Sequence, residues 1–168
     1  MLNATRVRVL LAAVVAVTSL LAWAILAPAR AENRTPSDAI RGGGTSLVRG
    51  GTGAPGGFHP VITKFGFSWT DGRGGFECLA LVASADPGKP GSGDFDTNAM
   101  YVTGSITSAR VDGATAVLQG TATVTGLGAG ADKPFTVTIT RGGPGASLVL
   151  NVSGLTFAEI VLDGQITF

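Results

Sequence analysis

The chain has 168 residues and a formal net charge of +1 at pH 7, and only 14% of its residues are charged whereas 45% are hydrophobic. Its 26 glycines, together with abundant threonine, alanine and valine, are typical of strands joined by tight turns. One cysteine and one histidine are too few for a zinc site built from these residue types, and a single cysteine excludes an internal disulfide.

The N-terminus has the pattern of a secretory signal peptide. Arg6 and Arg8 precede an apolar run over residues 9–27, and small residues follow in the segment Ala27-Pro28-Ala29-Arg30-Ala31. This order predicts a signal peptide over 1–31, cleaved after Ala29 or Ala31. A permanent membrane anchor is the alternative, because the run approaches the ~20 residues that span a bilayer. Either reading predicts a secreted or extracellular body.

Removal of the signal peptide leaves about 135 residues, which is enough for one domain with a core of its own. Cleavage after Ala31 removes three of the twelve basic residues and none of the eleven acidic ones, so the mature net charge is −2. We therefore expect no nucleic-acid partner. The partner is expected to be an extracellular or envelope molecule of unknown identity, with membrane contact only through an uncleaved N-terminal segment.

Residues 32–57 are rich in glycine, at 42–44 and again over 50–57. This composition predicts a flexible leader, with at most a short strand at Thr45 to Arg49. The all-β domain is expected to cover 58–168.

Apolar and polar residues alternate with period two from Phe58 onward, which is the pattern of strands with one buried face. Turn signals separate the strands at Asp112-Gly113 and at 142–145, and Asp163-Gly164 predicts a further tight turn or a bulge. The side chains predicted to face the core are Phe65, Phe67, Trp69, Met100, Val102, Ile106, Ala116, Leu118, Ala122, Val124, Phe135, Val137, Ile139, Leu148, Leu150, Val152, Ala158, Ile160 and Leu162. The segment from Phe76 to Ala83 is apolar on both faces. Seven to nine short strands predict an antiparallel β-sandwich, with a closed barrel as the alternative.

Several turn and strand motifs resemble the post-COAP-type domain of secreted bacterial proteins. The motifs are Gly42-Gly43-Gly44-Thr45, Lys64-Phe65-Gly66-Phe67, Val102-Thr103-Gly104-Ser105-Ile106, 120–126, 135–139, 142–145 and Leu162-Asp163-Gly164-Gln165-Ile166. The resemblance covers nearly the whole mature chain and implies a β-rich domain of a secreted or surface protein, with no settled activity. Aspartates tend to flank the Gly-Pro-Gly turn in such domains, whereas Arg141 and Ala146 flank it here.

The catalytic side chains are sparse. His59 lies at the edge of the glycine-rich leader, where it is badly placed for a nucleophile–histidine–carboxylate arrangement. Glu77 lies inside the most apolar strand, so it is the most interesting candidate for a catalytic acid, although a solvent-facing position or an ion pair with Arg73 or Arg110 is the favoured explanation. The same simple explanation applies to Glu159. Cys78 shares a face with Phe76 and is expected to be a buried small hydrophobe.

Oxygen ligands cluster in the loop at 86–98, where Asp94, Asp96 and Asn98 repeat the alternate spacing of the first half of a calcium loop. Ala99 replaces the glycine and Ser105 the glutamate that an EF-hand requires, which excludes that motif. These three residues are a candidate for weak Ca²⁺ binding, and no other cofactor is expected.

The sequence thus predicts an exported, non-catalytic β-domain that either binds a partner or is a structural module of the cell envelope or surface. A carrier of a small apolar ligand inside a barrel is the alternative within binding. A hydrolase that pairs Glu77 with a loop aspartate is the alternative among enzymes.

Overall fold

The structure, a computed structural model, describes residues 39–55, 60–83, 95 and 97–168. The predicted signal peptide and part of the predicted leader lie outside these residues. Eight strands run through the described part: β1 Ile40–Gly50, β2 Val61–Thr70, β3 Arg73–Val82, β4 Thr97–Asp112, β5 Thr115–Gly126, β6 Gly130–Thr140, β7 Ser147–Val152 and β8 Leu155–Thr167. Within the described ranges, no helix has the length and apolar character needed to cross a membrane.

The eight strands form a closed antiparallel barrel in which each strand pairs with the next and β8 pairs with β1. The predicted all-β class is confirmed, and of the two predicted architectures the chain adopts the barrel. Closure leaves no sheet edge unpaired, and eight strands enclose an interior just wide enough for side chains or for one small ligand.

The structure corrects the predicted start of the all-β domain. Residues 40–50, expected to belong to a flexible leader, form β1, which pairs with β2 from Ile40 to Leu47 and with β8 from Arg41 to Gly50. The glycines serve packing here: a Cβ atom at Gly42 would lie 2.3 Å from the ring of Phe67. A side chain at this position would therefore overlap the core.

The predicted inner faces of β2, β4, β5, β6 and β7 are confirmed, because their apolar residues are buried, with Trp69 half-buried. Cys78 is buried as expected.

The predicted inner face of β8 is wrong by one residue. Phe157, Glu159 and Val161 face the interior, whereas Ala158 and Ile160 face outward and Leu162 is exposed. A shift of the pairing with β1 between Thr45 and Ser46 marks a β-bulge, which fulfils the predicted turn or bulge at Asp163-Gly164.

One end of the barrel is filled by aromatic side chains. Phe76 and Phe135 stack with ring centroids 5.2 Å apart, and Phe65 and Phe67 stack at 6.1 Å. Inward-facing glycines make room for these rings, since a Cβ atom at Gly120 would lie 2.9 Å from Phe135. This end of the interior is therefore solid.

Candidate functional site

The opposite end of the barrel holds a cavity of about 350 Å³. It lies where β1, β3, β5 and β7 end and where β2, β4 and β8 begin. Its lining is almost entirely apolar. The lining residues are Val48, Thr52, Gly53, Ala54, Pro55, Val61, Thr63, Cys78, Ala80, Val82, Ala99, Met100, Val102, Leu127, Leu150, Leu155, Phe157 and Glu159.

The chain that follows β1 forms part of the cavity wall. The Gly53 N–H donates to the Thr156 carbonyl at 2.9 Å, and the Thr156 N–H donates to Thr52 Oγ1 at 2.9 Å. Gly53 lies against the face of Phe157, where a Cβ atom would come within 2.2 Å of the ring. These contacts hold residues 52–55, which we call the strap, against the start of β8.

A cluster of three polar side chains lies at the cavity wall. Ser46 of β1, Thr63 of β2 and Glu159 of β8 are the buried polar side chains of the described residues, and Glu159 is 1% exposed. Adjacent strands bring them together, because Ser46 lies directly opposite Thr63 and Val48 opposite Glu159. Ser46 Oγ donates to Glu159 Oε2 at 2.5 Å, Thr63 Oγ1 donates to the same oxygen, and the two hydroxyls contact each other.

Burial raises the pKa of the Glu159 carboxyl above its ordinary value of 4.5, and the hydrogen bonds from Ser46 and Thr63 lower it by less. Burial also raises the pKa of the Cys78 thiol well above its ordinary value, with a further rise from the charge of Glu159. Among the described lining residues, Glu159 and Cys78 are the titratable side chains, and the lining contains no cation. Burial thus disfavours the charged form of both groups.

The structure separates the two candidate glutamates. Glu77 points outward from β3 and is exposed, where it accepts a long 3.4 Å hydrogen bond from the Tyr101 hydroxyl. It therefore lies on the opposite side of the sheet from the cavity. Glu159, expected to face solvent or an ion-pair partner, is instead the buried acid.

Only one of the three predicted calcium ligands lies among the described residues. Asp94 and Asp96 lie outside the described residues, and Asn98 is exposed at the start of β4, opposite Leu81. The described residues contain no group of three or more His, Cys, Asp or Glu side chains placed to hold a metal ion. The weak Ca²⁺ site stays a prediction.

The cluster of Ser46, Thr63 and Glu159 is not predicted by the sequence pattern. The period-two alternation of β8 is the one signal that could have located Glu159. Phe157, Glu159 and Val161 alternate with Ala158 and Ile160, so either set could form the inner face of the strand. The Ser46 and Thr63 positions depend on the pairing of β1, which was not predicted over its full length.

The chain matches no protein-family model, no curated protein sequence and no solved structure. The resemblance to post-COAP-type domains stays a prediction.

Proposed function

We propose that this protein is an exported binding protein that carries one small, mostly apolar molecule inside its barrel. The observation that carries the proposal is the apolar cavity of about 350 Å³ at one end of a barrel whose other end is solid. This volume is at the lower end of the ~300–1,000 Å³ typical of small-molecule sites, so it suits a compact ligand.

The lining supports binding rather than hydrolysis. Glycoside hydrolysis requires two carboxyl groups on either side of the scissile bond, and Glu159 is the one carboxyl group among the described lining residues. Glu77, the acid expected to serve a hydrolase, lies outside the barrel. A preformed apolar cavity instead gains binding free energy from the burial of ligand surface, at about 25 cal/mol per Å² before the costs of association.

The proposal is tested by binding of the uncharged fluorescent probe N-phenyl-1-naphthylamine to the purified protein. We expect its emission to rise on saturable binding to the wild type. Ala80→Trp fills the cavity from the inner face of β3 and should abolish the signal. Leu81→Trp is the matched control, since Leu81 faces outward from the same strand and does not line the cavity.

Loss of binding in Ala80→Trp alone supports the cavity as the site, provided that both variants melt cooperatively. Equal binding by both variants and the wild type would place the probe on the surface and contradict the proposal, as would the absence of saturable binding to the wild type.

A further inference from the structure

The polar side chains of the cavity wall indicate which head group a ligand can carry. Thr52 on the strap is exposed to solvent and accepts a hydrogen bond from the Thr156 N–H, whereas Thr63 and Glu159 are buried. The Thr63 hydroxyl is already engaged with the Ser46 hydroxyl and with Glu159 Oε2. A ligand that buries its apolar body in this cavity therefore meets Oε1 of Glu159, the carboxyl oxygen that takes part in none of these contacts.

Three oxygen atoms lie in mutual contact at this wall: Ser46 Oγ, Thr63 Oγ1 and Glu159 Oε2. A contact between two such oxygens is a hydrogen bond only if a proton lies between them. The two hydroxyls supply two protons for the three contacts. In the neutral acid the third proton completes the triangle when it is carried by Oε2, and Oε1 is then the carbonyl oxygen of the carboxyl group.

The ionised form of Glu159 gives Oε1 the same character. Both oxygens of a carboxylate are acceptors, and here the hydroxyls of Ser46 and Thr63 occupy Oε2. Oε1 therefore accepts hydrogen bonds in both charge states of the acid. Which charge state prevails at a given pH does not change the type of group that Oε1 can bind.

A buried acceptor in an apolar cavity selects a ligand that brings a donor. A ligand hydroxyl donates to Oε1 whether Glu159 is neutral or ionised. A ketone carbonyl has lone pairs but no proton, so beside Oε1 it would lose its hydration and gain no hydrogen bond. A carboxylate ligand is disfavoured further, because the described lining contains no cation to compensate its charge.

We propose that the cavity selects an apolar ligand whose polar group is a hydroxyl, of the alcohol or phenol type, with Oε1 of Glu159 as its hydrogen-bond acceptor. This inference rests on the proposed function, since it concerns the head group of the ligand that the cavity holds.

The test compares 2-adamantanol with 2-adamantanone, two compounds of one rigid skeleton that differ in whether the oxygen carries a proton. Their affinities are measured by displacement of N-phenyl-1-naphthylamine from the purified protein at pH 7. We expect the alcohol to bind about tenfold more tightly than the ketone, as one buried hydrogen bond allows.

Two variants of lining residues show whether Glu159 is the acceptor. Glu159→Met removes both carboxyl oxygens at similar side-chain length, so the alcohol and the ketone should bind with equal affinity. Cys78→Ala is the matched control, because Cys78 also lines the cavity but is not the proposed acceptor. It should retain the tenfold preference. Probe binding and cooperative melting of each variant show that its barrel is intact.

A second measurement needs no variant and therefore decides the question even if Glu159→Met fails to fold. The two affinities are measured for the wild type at pH 5 and at pH 8. Cys78 is the other titratable side chain of the described lining, and burial raises the pKa of its thiol well above its ordinary value. Because Oε1 accepts in both charge states of Glu159, the alcohol should bind more tightly than the ketone at both pH values.

A preference for the ketone at either pH would identify a donor at this position and overturn the inference. Equal affinities in the wild type, displacement by neither compound, a preference retained in Glu159→Met or one lost in Cys78→Ala would also overturn the inference, while the proposed function would stand. Absence of saturable probe binding to the wild type would overturn the proposed function and the inference together.

Discussion

Glu159 is a buried carboxyl group with no cation among the described residues that line its cavity. The hydroxyls of Ser46 and Thr63 satisfy Oε2, and the rest of its described surroundings in the cavity are apolar apart from the Cys78 thiol. Such a group costs stability when it is charged, since burial penalises the charged form. A residue that lowers stability in this way is typical of a binding site rather than of a packed core.

The pH dependence of stability tests this account of Glu159. The pKa of Glu159 is higher in the folded state than in the unfolded chain, so the folded state holds its proton more tightly. Stability of the wild type should therefore fall relative to Glu159→Gln as pH rises above about 4.5, with a slope of at most about 1.4 kcal/mol per pH unit. The difference stops growing once Glu159 ionises in the folded state.

The measurement is the difference in free energy of unfolding between the two proteins at pH 4 to 8. Among the described residues, the polar groups that face Glu159 are the Ser46 and Thr63 hydroxyls and the Cys78 thiol, whose pKa is raised, so none of these changes charge in this range. A difference that is constant with pH, or that narrows as pH rises, would contradict a raised pKa.

At the scale of the elements, sequence patterns predict β4 to β7 and fail for β1 and β8. The alternation of β4 to β7 predicts their buried faces, because polar residues occupy most of the outer positions. The glycines of β1 predict flexibility, whereas Gly42 is required by the ring of Phe67 across the pair. The pattern of β8 predicts the wrong register, because apolar residues occupy both of its faces near Glu159 and a bulge shifts the alternation.

Glycine substitutions in β1 test whether Gly42 is needed for packing against Phe67 or only gives the chain flexibility. Gly42→Ala places a methyl group against the Phe67 ring and should destabilise the protein by about 1–3 kcal/mol, as overpacking does. The adjacent Gly43→Ala is the matched control, because its Cβ atom would meet nothing nearer than 3.4 Å. It should be neutral or stabilising by up to about 1 kcal/mol through reduced freedom of the unfolded chain.

Denaturant unfolding of both variants provides the comparison, and a double-mutant cycle with Phe67→Ala identifies the cause. Phe67→Ala alone should cost about 3–5 kcal/mol, and in its background Gly42→Ala should lose most of its penalty. Equal effects of the two glycine substitutions would mean that the ring does not require Gly42.

At the scale of the whole molecule, strand number and class were within reach of the sequence, whereas the choice between sandwich and barrel was not. That choice depends on whether the first and last strands meet, and such a contact between distant parts of the chain leaves no local pattern. The sequence pattern predicts a sandwich first, yet β1 closes the sheet against β8 through nine residue pairs. The cavity forms only when the barrel closes, so the sequence pattern could not predict it either.

Two fragments test the corrected domain boundary. A chain of residues 39–168 contains all eight strands and should unfold cooperatively, as a single domain does. A chain of residues 58–168 lacks β1 and exposes the edges of β2 and β8, so it should aggregate or lose its cooperative transition. Thermal unfolding followed by circular dichroism distinguishes them, and a shared melting temperature would show that β1 is dispensable.

The pairing of β1 with β8 also determines when the protein becomes folded. Neighbouring strands β1 to β7 form local hairpins as soon as each partner is available, but the closing pair joins segments more than a hundred residues apart in sequence. Ser46 and Glu159 belong to these two strands, so the acid obtains its hydroxyl partners only in that closing step. A chain that is synthesised from its N-terminus therefore lacks the hydrogen bond between Ser46 and Glu159 until β8 is available, and the barrel stays open until that point.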